Sequence, residues 1–383
     1  MRHIITRTFR RLFKIEMLKT ASYKKLIQGF EQKLQESEMK LQESERKLQE
    51  SLGSIQSDYI KKADYHKIEG PIAVSWEAFF NKYSPSQIEK KIHALTLNMD
   101  SISKLSVKKH IERLSELPKN ELREYVLVDF KKFCINNATS WEQKFLEKLY
   151  SEHTIKRSQL VEKYKFPENV FFPSDLVLNG GLDILNRKVF NKISNGGTVL
   201  DCGAFRGETA VVYYDVLKPA KIVAFEPIPD NYNILTKTAH CGELSNVIIP
   251  MNCGVYNKNG VLYFTNELDS STVVHGKHKK DNNNGMLSIQ VRTIDSVVKQ
   301  LGLSDIRFIK LDVENSELEA LEGAKNTIIR DKPVLFTSIY HSAKEFFNVR
   351  ELIDSWNLQY RHCIRHMDPT NMFTEVFLIS TPE

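Results

Sequence analysis

Apolar residues recur along this chain in distinct regimes. Ile4, Ile5, Phe9, Leu12, Phe13 and Leu18 fall near helical spacing with arginines between them, so residues 1–25 read as a basic amphipathic segment. Lys33 to Gly53 then repeats seven residues as KLQESEM, KLQESER and KLQESLG. Leu34, Leu41, Leu48 and Ile55 share one heptad position, while Ser37, Ser44 and Ser51 hold the partner position. Half of that seam is serine, so residues 26–70 read either as a weak, self-associating coiled-coil stalk or as a lone solvated helix with Glu and Lys along its faces. Trp76, Phe79, Ile88, Ile92, Ile111, Leu114, Tyr125, Phe130, Trp141 and Phe145 return to helical spacing. They predict a helical subdomain over 71–165 whose aromatic stripes pack rather than bind a cofactor.

From Phe166 the pattern changes. Pro167, Pro173 and the Gly180-Gly181 pair punctuate an ordered lead-in, and short apolar, β-branched runs then alternate with helical periods, which predicts an α/β domain over 166–383. Thr198 to Leu200 is a buried strand that runs into Asp201, Gly203 and Gly207 before a helix opens at Glu208. Strand, glycine turn and helix make half of a nucleotide-binding βαβ unit, with the glycines expected to let the backbone approach a ligand. Lys221 to Phe225 is a second strand ending in Glu226, where such folds hold ribose hydroxyls. Asp230 is expected to cap a helix from Asn231 to Ala239, and a third strand follows over Asn246 to Met251. Asn252 at its end is either an adenine-side contact or a turn residue. Gly254 to Thr265, with its Asn259-Gly260 turn, reads as a hairpin.

Arg307 to Val313 (RFIKLDV) leads into Asp312 and Glu314. In extended chain, residues two apart face one side about 6–7 Å from each other, so both carboxylates are expected to look into one pocket. Ser316 and Glu319 have capping-box spacing for the helix that follows. His341, after the apolar run ending at Tyr340, is either a catalytic base or a buried structural histidine. Arg365 and His366 either bind substrate or pair with acids.

Charge and cysteine content narrow the picture. The net charge of +6 is local, because residues 1–25 carry eight Lys or Arg against Glu16 alone, leaving 46 basic and 47 acidic residues elsewhere. A nucleic-acid enzyme would carry its positive field around the active site, so no nucleic-acid partner is expected. The basic segment instead suits either an anionic membrane surface or a solvated extension. Five cysteines without a CxxC pair suggest neither a disulfide framework nor a zinc site and fit a reducing cytoplasm, with peripheral contact at the inner membrane face if the segment binds there. His275 and His278 are spaced as metal ligands but lack a third, so no metal is expected there. No apolar run approaches the roughly 18 residues of a membrane span.

The motifs VLDCGAFRGET, VAFEPIPDNY, IKLDVENSELEALEGA and PVLFTSIYHS with RHCIRH, in this order, resemble the FkbM family of S-adenosylmethionine-dependent methyltransferases, and FFPSDLVLNGGLDIL resembles a glycan-associated bacterial branch of it. The likeness covers about Phe166 to Thr381. It implies a Rossmann-like seven-strand methyltransferase sheet in which the strands ending at Asp201 and Asp312 are neighbours, preceded here by the helical region and the stalk. It further implies that Asp201, Gly203, Ala204 and Phe205 line the methionine and ribose side, that Glu226 holds the ribose diol, and that Asp312 and Glu314 face the reacting centre. The expected activity is O-methylation of a hydroxyl on a sugar or glycan, with Asp312, Glu314 and His341 the candidate bases. Two departures stand out: Asn315 replaces a common glycine, and Phe205 stands where a small polar residue is frequent. A nicotinamide dehydrogenase fits less well, since GAFRG lacks GxGxxG spacing. A non-catalytic scaffold on a degenerate methyltransferase fold is the alternative.

Overall fold

The computed structural model describes residues 70–115, 139–165, 173–267, 270–274, 286–369, 371 and 373–383. The basic segment, the heptad repeat, Tyr125, Phe130, Pro167, Cys134 and the stretch holding His275 and His278 lie outside these residues. All the described residues fall in one compact unit, Ala63–Glu383. In chain order the helices Gly70–Lys82 (α1), Pro85–Thr96 (α2), Ser101–Ser115 (α3), Ser140–Tyr164 (α4), Pro173–Val177 (α5) and Arg187–Ile193 (α6) lead to strand Thr198–Cys202 (β1). Helix Glu208–Leu217 (α7), strand Lys221–Phe225 (β2), helix Pro229–Ala239 (α8) and strand Ile248–Met251 (β3) follow. Next come Gly254–Val255 (β4), Gly260–Glu267 (β5), Ser270–Val274 (β6) and Met286–Arg292 (β7). The chain closes with Ile294–Gln300 (α9), Ile306–Leu311 (β8), Glu317–Gly323 (α10), Lys325–Asp331 (α11), Val334–Ser338 (β9), Ala343–Asp354 (α12), Tyr360–His366 (β10) and Val376–Pro382 (β11).

The seven-stranded sheet has the order β10-β11-β9-β8-β1-β2-β3. β1 pairs in parallel with β2 and β8, while β11 runs antiparallel to both its neighbours. Parallel strands are covered on both faces, which explains their apolar runs. Alternate residues serve opposite sides: Leu200, Cys202, Val223 and Phe225 join one buried cluster, and Val199, Ile222 and Ala224 the other.

The helices before β1 divide between these two cores. Trp76, Phe79, Val107 and Ile111 sit in the first, where the fully buried Trp76 ring meets Phe346 of α12 edge to face at 5.2 Å. Phe145 and Leu149 of α4 sit in the second. Polar clamps fix them to the sheet edge: Arg113 grips Glu142 through two hydrogen bonds of 2.7 and 3.0 Å, and His366 of β10 lies 2.6 Å from the same carboxylate. Burial works against this charge, but His366 and Arg113 outweigh it and hold Glu142 well below the usual carboxylate range. Arg365 pairs with Asp100. Both β10 side chains therefore pair with acids of the preceding helices rather than face a substrate.

Several local expectations need correction. Gly254 to Thr265 is not a hairpin: β4 pairs in parallel with β7, and β5 pairs with β6 and β7 in a separate four-stranded sheet. The hairpin partner of β5 is β6, formed by the Ser-Ser-Thr-Val-Val stretch. The third strand begins at Ile248 because a 3-10 turn occupies Gly242–Asn246. Asp230 does not cap α8, whose first turn begins at Pro229 after Ile228. Ser316 is the N-cap residue of α10 but makes no side-chain capping bond, so the capping box does not form. Glu317 supplies the local order instead, accepting the Val313 N–H at 2.9 Å.

Candidate active site

A crevice opens at the carboxyl ends of β8, β1 and β2, where connections leave a parallel sheet in opposite directions. After β1 the chain turns at Gly203, whose φ is 79°. A Cβ built there would lie 1.9 Å from the Asp312 carbonyl oxygen, so the missing side chain makes room for the end of β8. The Gly203 and Ala204 N–H groups both donate to the Phe225 carbonyl, at 3.1 and 2.9 Å, and fold the turn against β2. Phe205 continues it with φ 49°.

Glu226 follows β2 and is 5% exposed. Its Oε2 accepts the Phe205 N–H at 3.1 Å and its Oε1 the Ile228 N–H at 2.8 Å. Burial pushes its pKa up to about 7 against the opposing pull of these bonds. The Asn231 side chain adds a further bond, and the carboxylate still has acceptor capacity left for a ligand donor. The carboxylate borders a cavity of about 720 Å³, as do Gly203, Ala204 and Phe205. Beyond Glu226 the wall is apolar, with Ile228, Val255, Leu262 and Val291. On the opposite side it is polar, with Lys310, Asp312, Glu314, Tyr340 and Asn371.

The remaining candidates divide. Asp201 is fully buried and is not among the cavity-lining residues; its Oδ2 accepts the Thr209 hydroxyl at 2.6 Å, and burial raises its pKa. Asn252 donates to the carbonyls of Glu226 at 3.1 Å and Pro227 at 3.4 Å, the turn role, and does not line the cavity. Asp312 and Glu314 both reach the cavity, but not as neighbours in an extended strand. β8 ends at Leu311, and Glu314 and Asn315 adopt left-handed φ of 56° and 66°. That turn brings Glu314 Oε2 to 3.3 Å and Asp312 Oδ1 to 3.8 Å from His341 Nε2. His341 lies behind this wall, 4% exposed, with Nδ1 3.1 Å from Glu317 Oε1. Burial favours its neutral form, but Glu317 and Glu314 overcome this and raise its pKa well above the usual value.

Lys310 was legible as a charged residue inside an apolar strand and as a candidate partner for the acids that follow it. Its Nζ donates to the Gly203 carbonyl at 2.9 Å and lies 3.6 Å from Asp312 Oδ2. Burial disfavours the ammonium, but Asp312 and Asp201 outweigh it and raise the pKa, so a fixed cation ties the two strand ends together. Glu317, fully buried, gave no local signal, because only the fold sets it against His341.

Glu208 opens α7, lines the cavity and is 2% exposed. Burial lifts its pKa from an ordinary 4.5 to about 8. Between those values the folded protein holds a proton that the unfolded chain has released, so this carboxyl stabilises most below pH 4.5 and loses its contribution as pH rises to about 8. Glu208→Gln should therefore flatten the decline in stability over that interval and gain about 1–3 kcal/mol over the parent at pH 8. Denaturant midpoints at pH 5 and 8 check this; parallel curves for the two proteins would refute it.

Residues 201–362 match the family model described as the methyltransferase FkbM domain. This segment is an FkbM methyltransferase domain. It runs from the end of β1 into β10 and carries most of the crevice lining, to which Asp175, Gly180, Met367 and Asn371 add from either side. Among relatives, the methyltransferase sdnD of Sordaria araneosa is 27% identical over 153 residues, covering 33% of this chain. The hexuronic acid methyltransferase AglP of Haloferax volcanii is 26% identical over 151 residues, covering 39% of this chain. The match spans 59% of the length of each relative. The crystal structure of methyltransferase FkbM from Methylobacillus flagellatus aligns over 65% of this chain and 57% of its own, at 22% identity and a TM-score of 0.41. Among the described residues, no helix is long and apolar enough to cross a membrane.

Proposed function

We propose that this protein is an S-adenosylmethionine-dependent methyltransferase that methylates a hydroxyl of a sugar or glycan. The observation that carries the reading is Glu226, a buried carboxylate at the end of β2 that borders the cavity beside the Gly203 to Phe205 turn. Two backbone N–H groups fix it, and its remaining lone pairs suit a ribose diol. The apolar wall beyond suits a purine. The cavity volume of about 720 Å³ lies within the roughly 300–1,000 Å³ of small-molecule sites.

Bound S-adenosylmethionine supplies a methyl group already activated on a sulfonium. The chain must then place an acceptor in line with it, exclude water and accept the hydroxyl proton. Asp312 suits that last task, because it borders the cavity, whereas His341 stands behind it with Nε2 turned toward Asp312 and Glu314. Lys310 and the Tyr340 hydroxyl, 3.4 Å from Asp312 Oδ1, hold the carboxylate in place. Asp312, Glu314, Tyr340 and Asn371 offer a polyol several hydrogen-bond partners, and a relative named for a hexuronic acid supports a sugar as acceptor.

Calorimetric titration with S-adenosylmethionine tests the reading, with NAD as control. Micromolar binding is expected, with Glu226→Ala weakening it about 10- to 100-fold, the range for hydrogen bonds to a charged group. No binding to the intact protein would favour the non-catalytic scaffold. A positive result would lead to incubation with glycan acceptors, the methylated atom being located by NMR.

A further inference from the structure

We infer that Asp312, Glu314 and His341 form a binding site for one divalent cation of the Mg2+/Mn2+ class, on the acceptor side of the cavity. The ligand atoms of Asp312, Glu317 and His341 gather within 4.8 Å of one another. His341 is 4% exposed, and its Nε2 is a buried atom without a hydrogen bond, aimed between Asp312 Oδ1 at 3.8 Å and Glu314 Oε2 at 3.3 Å. Ligand atoms in adjacent positions around a cation at about 2.1 Å lie roughly 3 Å apart; the two carboxylate oxygens stand 3.8 and 3.3 Å from the imidazole nitrogen, and rotation of the half-exposed Glu314 side chain would complete the set.

The shell behind it is already built. Glu317 Oε1 accepts the Val313 N–H at 2.9 Å and the Ser338 hydroxyl at 2.7 Å, and faces His341 Nδ1 at 3.1 Å. That oxygen is taken up in orienting the ring, which leaves Nε2 as the metal-facing nitrogen, the usual carboxylate–histidine–metal arrangement. Two oxygens and one imidazole favour a hard cation with several open positions. Because Asp312 and Glu314 also line the cavity, those positions face the space assigned to the acceptor, and its hydroxyls would bind there. The role given to the cation rests on the methyltransferase reading, but its binding does not.

The test is Mn2+ binding to the full chain without cofactor, read as loss of the free Mn2+ signal in electron paramagnetic resonance. One Mn2+ per chain is expected, displaced by excess Mg2+. Asp312→Asn and Glu314→Gln should each weaken it at least about tenfold, with circular dichroism confirming the fold. Glu314, 44% exposed, tolerates substitution and decides the matter if Asp312→Asn misfolds. No stoichiometric binding, or unchanged affinity in a folded Glu314→Gln, would overturn the proposal. Mn2+ binding without S-adenosylmethionine binding would keep the site and sink the methyltransferase reading; the reverse would do the opposite.

Discussion

Gly203→Ala should destabilise the protein by about 4 kcal/mol or more, a large share of the roughly 5–15 kcal/mol that holds a domain folded. Two costs combine. The residue sits at φ 79°, which a side chain disfavours by about 1–2 kcal/mol. Its new Cβ would also lie 1.9 Å from the Asp312 carbonyl oxygen, a backbone atom that cannot rotate away. The Asp312 N–H donates to the Cys202 carbonyl at 3.1 Å, so relief would part β1 from β8 at the mouth of the crevice. Gly302→Ala is the control: φ there is 61°, but nothing lies within 4 Å of the added Cβ, so only the first cost applies. Urea denaturation of both variants separates the terms. Equal midpoints would show that the β8 end yields to a methyl group and that the crevice is less rigid than described.

The same position shows where sequence reading succeeds and stops. Glycine after a strand-end acid marked a tight turn, because apolar runs and turn residues are local signals, whereas the adjacency of the strands ending at Asp201 and Asp312 was implied by the family resemblance. What Gly203 accommodates was not local: the space its missing side chain leaves is taken by the protein's own β8 end, while the turn still borders the cavity. Asp201 and Asn252 show the same limit: a strand-end polar residue can face the cavity or the wall behind it, and Asn252 takes the turn role, the second of the two readings its position allowed, while Asp201 lies buried off the cavity lining. Asp312 and Glu314 converge as expected, but through two left-handed residues rather than strand periodicity. Glu317, Glu142 and Asp100 acquire their meaning from partners 24 to 265 positions away, His341, His366 and Arg365. No window of sequence contains such pairs.

Asp312→Asn should leave S-adenosylmethionine affinity within about threefold of the parent while turnover falls about 10²- to 10⁴-fold, the usual contribution of a positioned base. The substitution preserves size and keeps an oxygen for the Tyr340 hydroxyl, which lies 3.4 Å from Oδ1. It removes the proton acceptor and the charge opposite Lys310 Nζ, 3.6 Å from Oδ2. Lys310 retains the Gly203 carbonyl at 2.9 Å, so the two strand ends remain tied and the cofactor side is preserved. Transfer of labelled methyl to a glycan acceptor, measured beside cofactor titration, reads the two effects separately. A parallel loss of affinity would mean that Asp312 builds the cofactor site rather than the acceptor site. Full turnover in Asp312→Asn with loss in Glu314→Gln would move the base to Glu314. Dependence on Mn2+ divides the remaining possibilities: a carboxylate acting as base alone gives the same residual rate with and without the ion. A carboxylate that also holds the ion gives a parent rate that rises with Mn2+ and a variant rate that recovers only at far higher concentration.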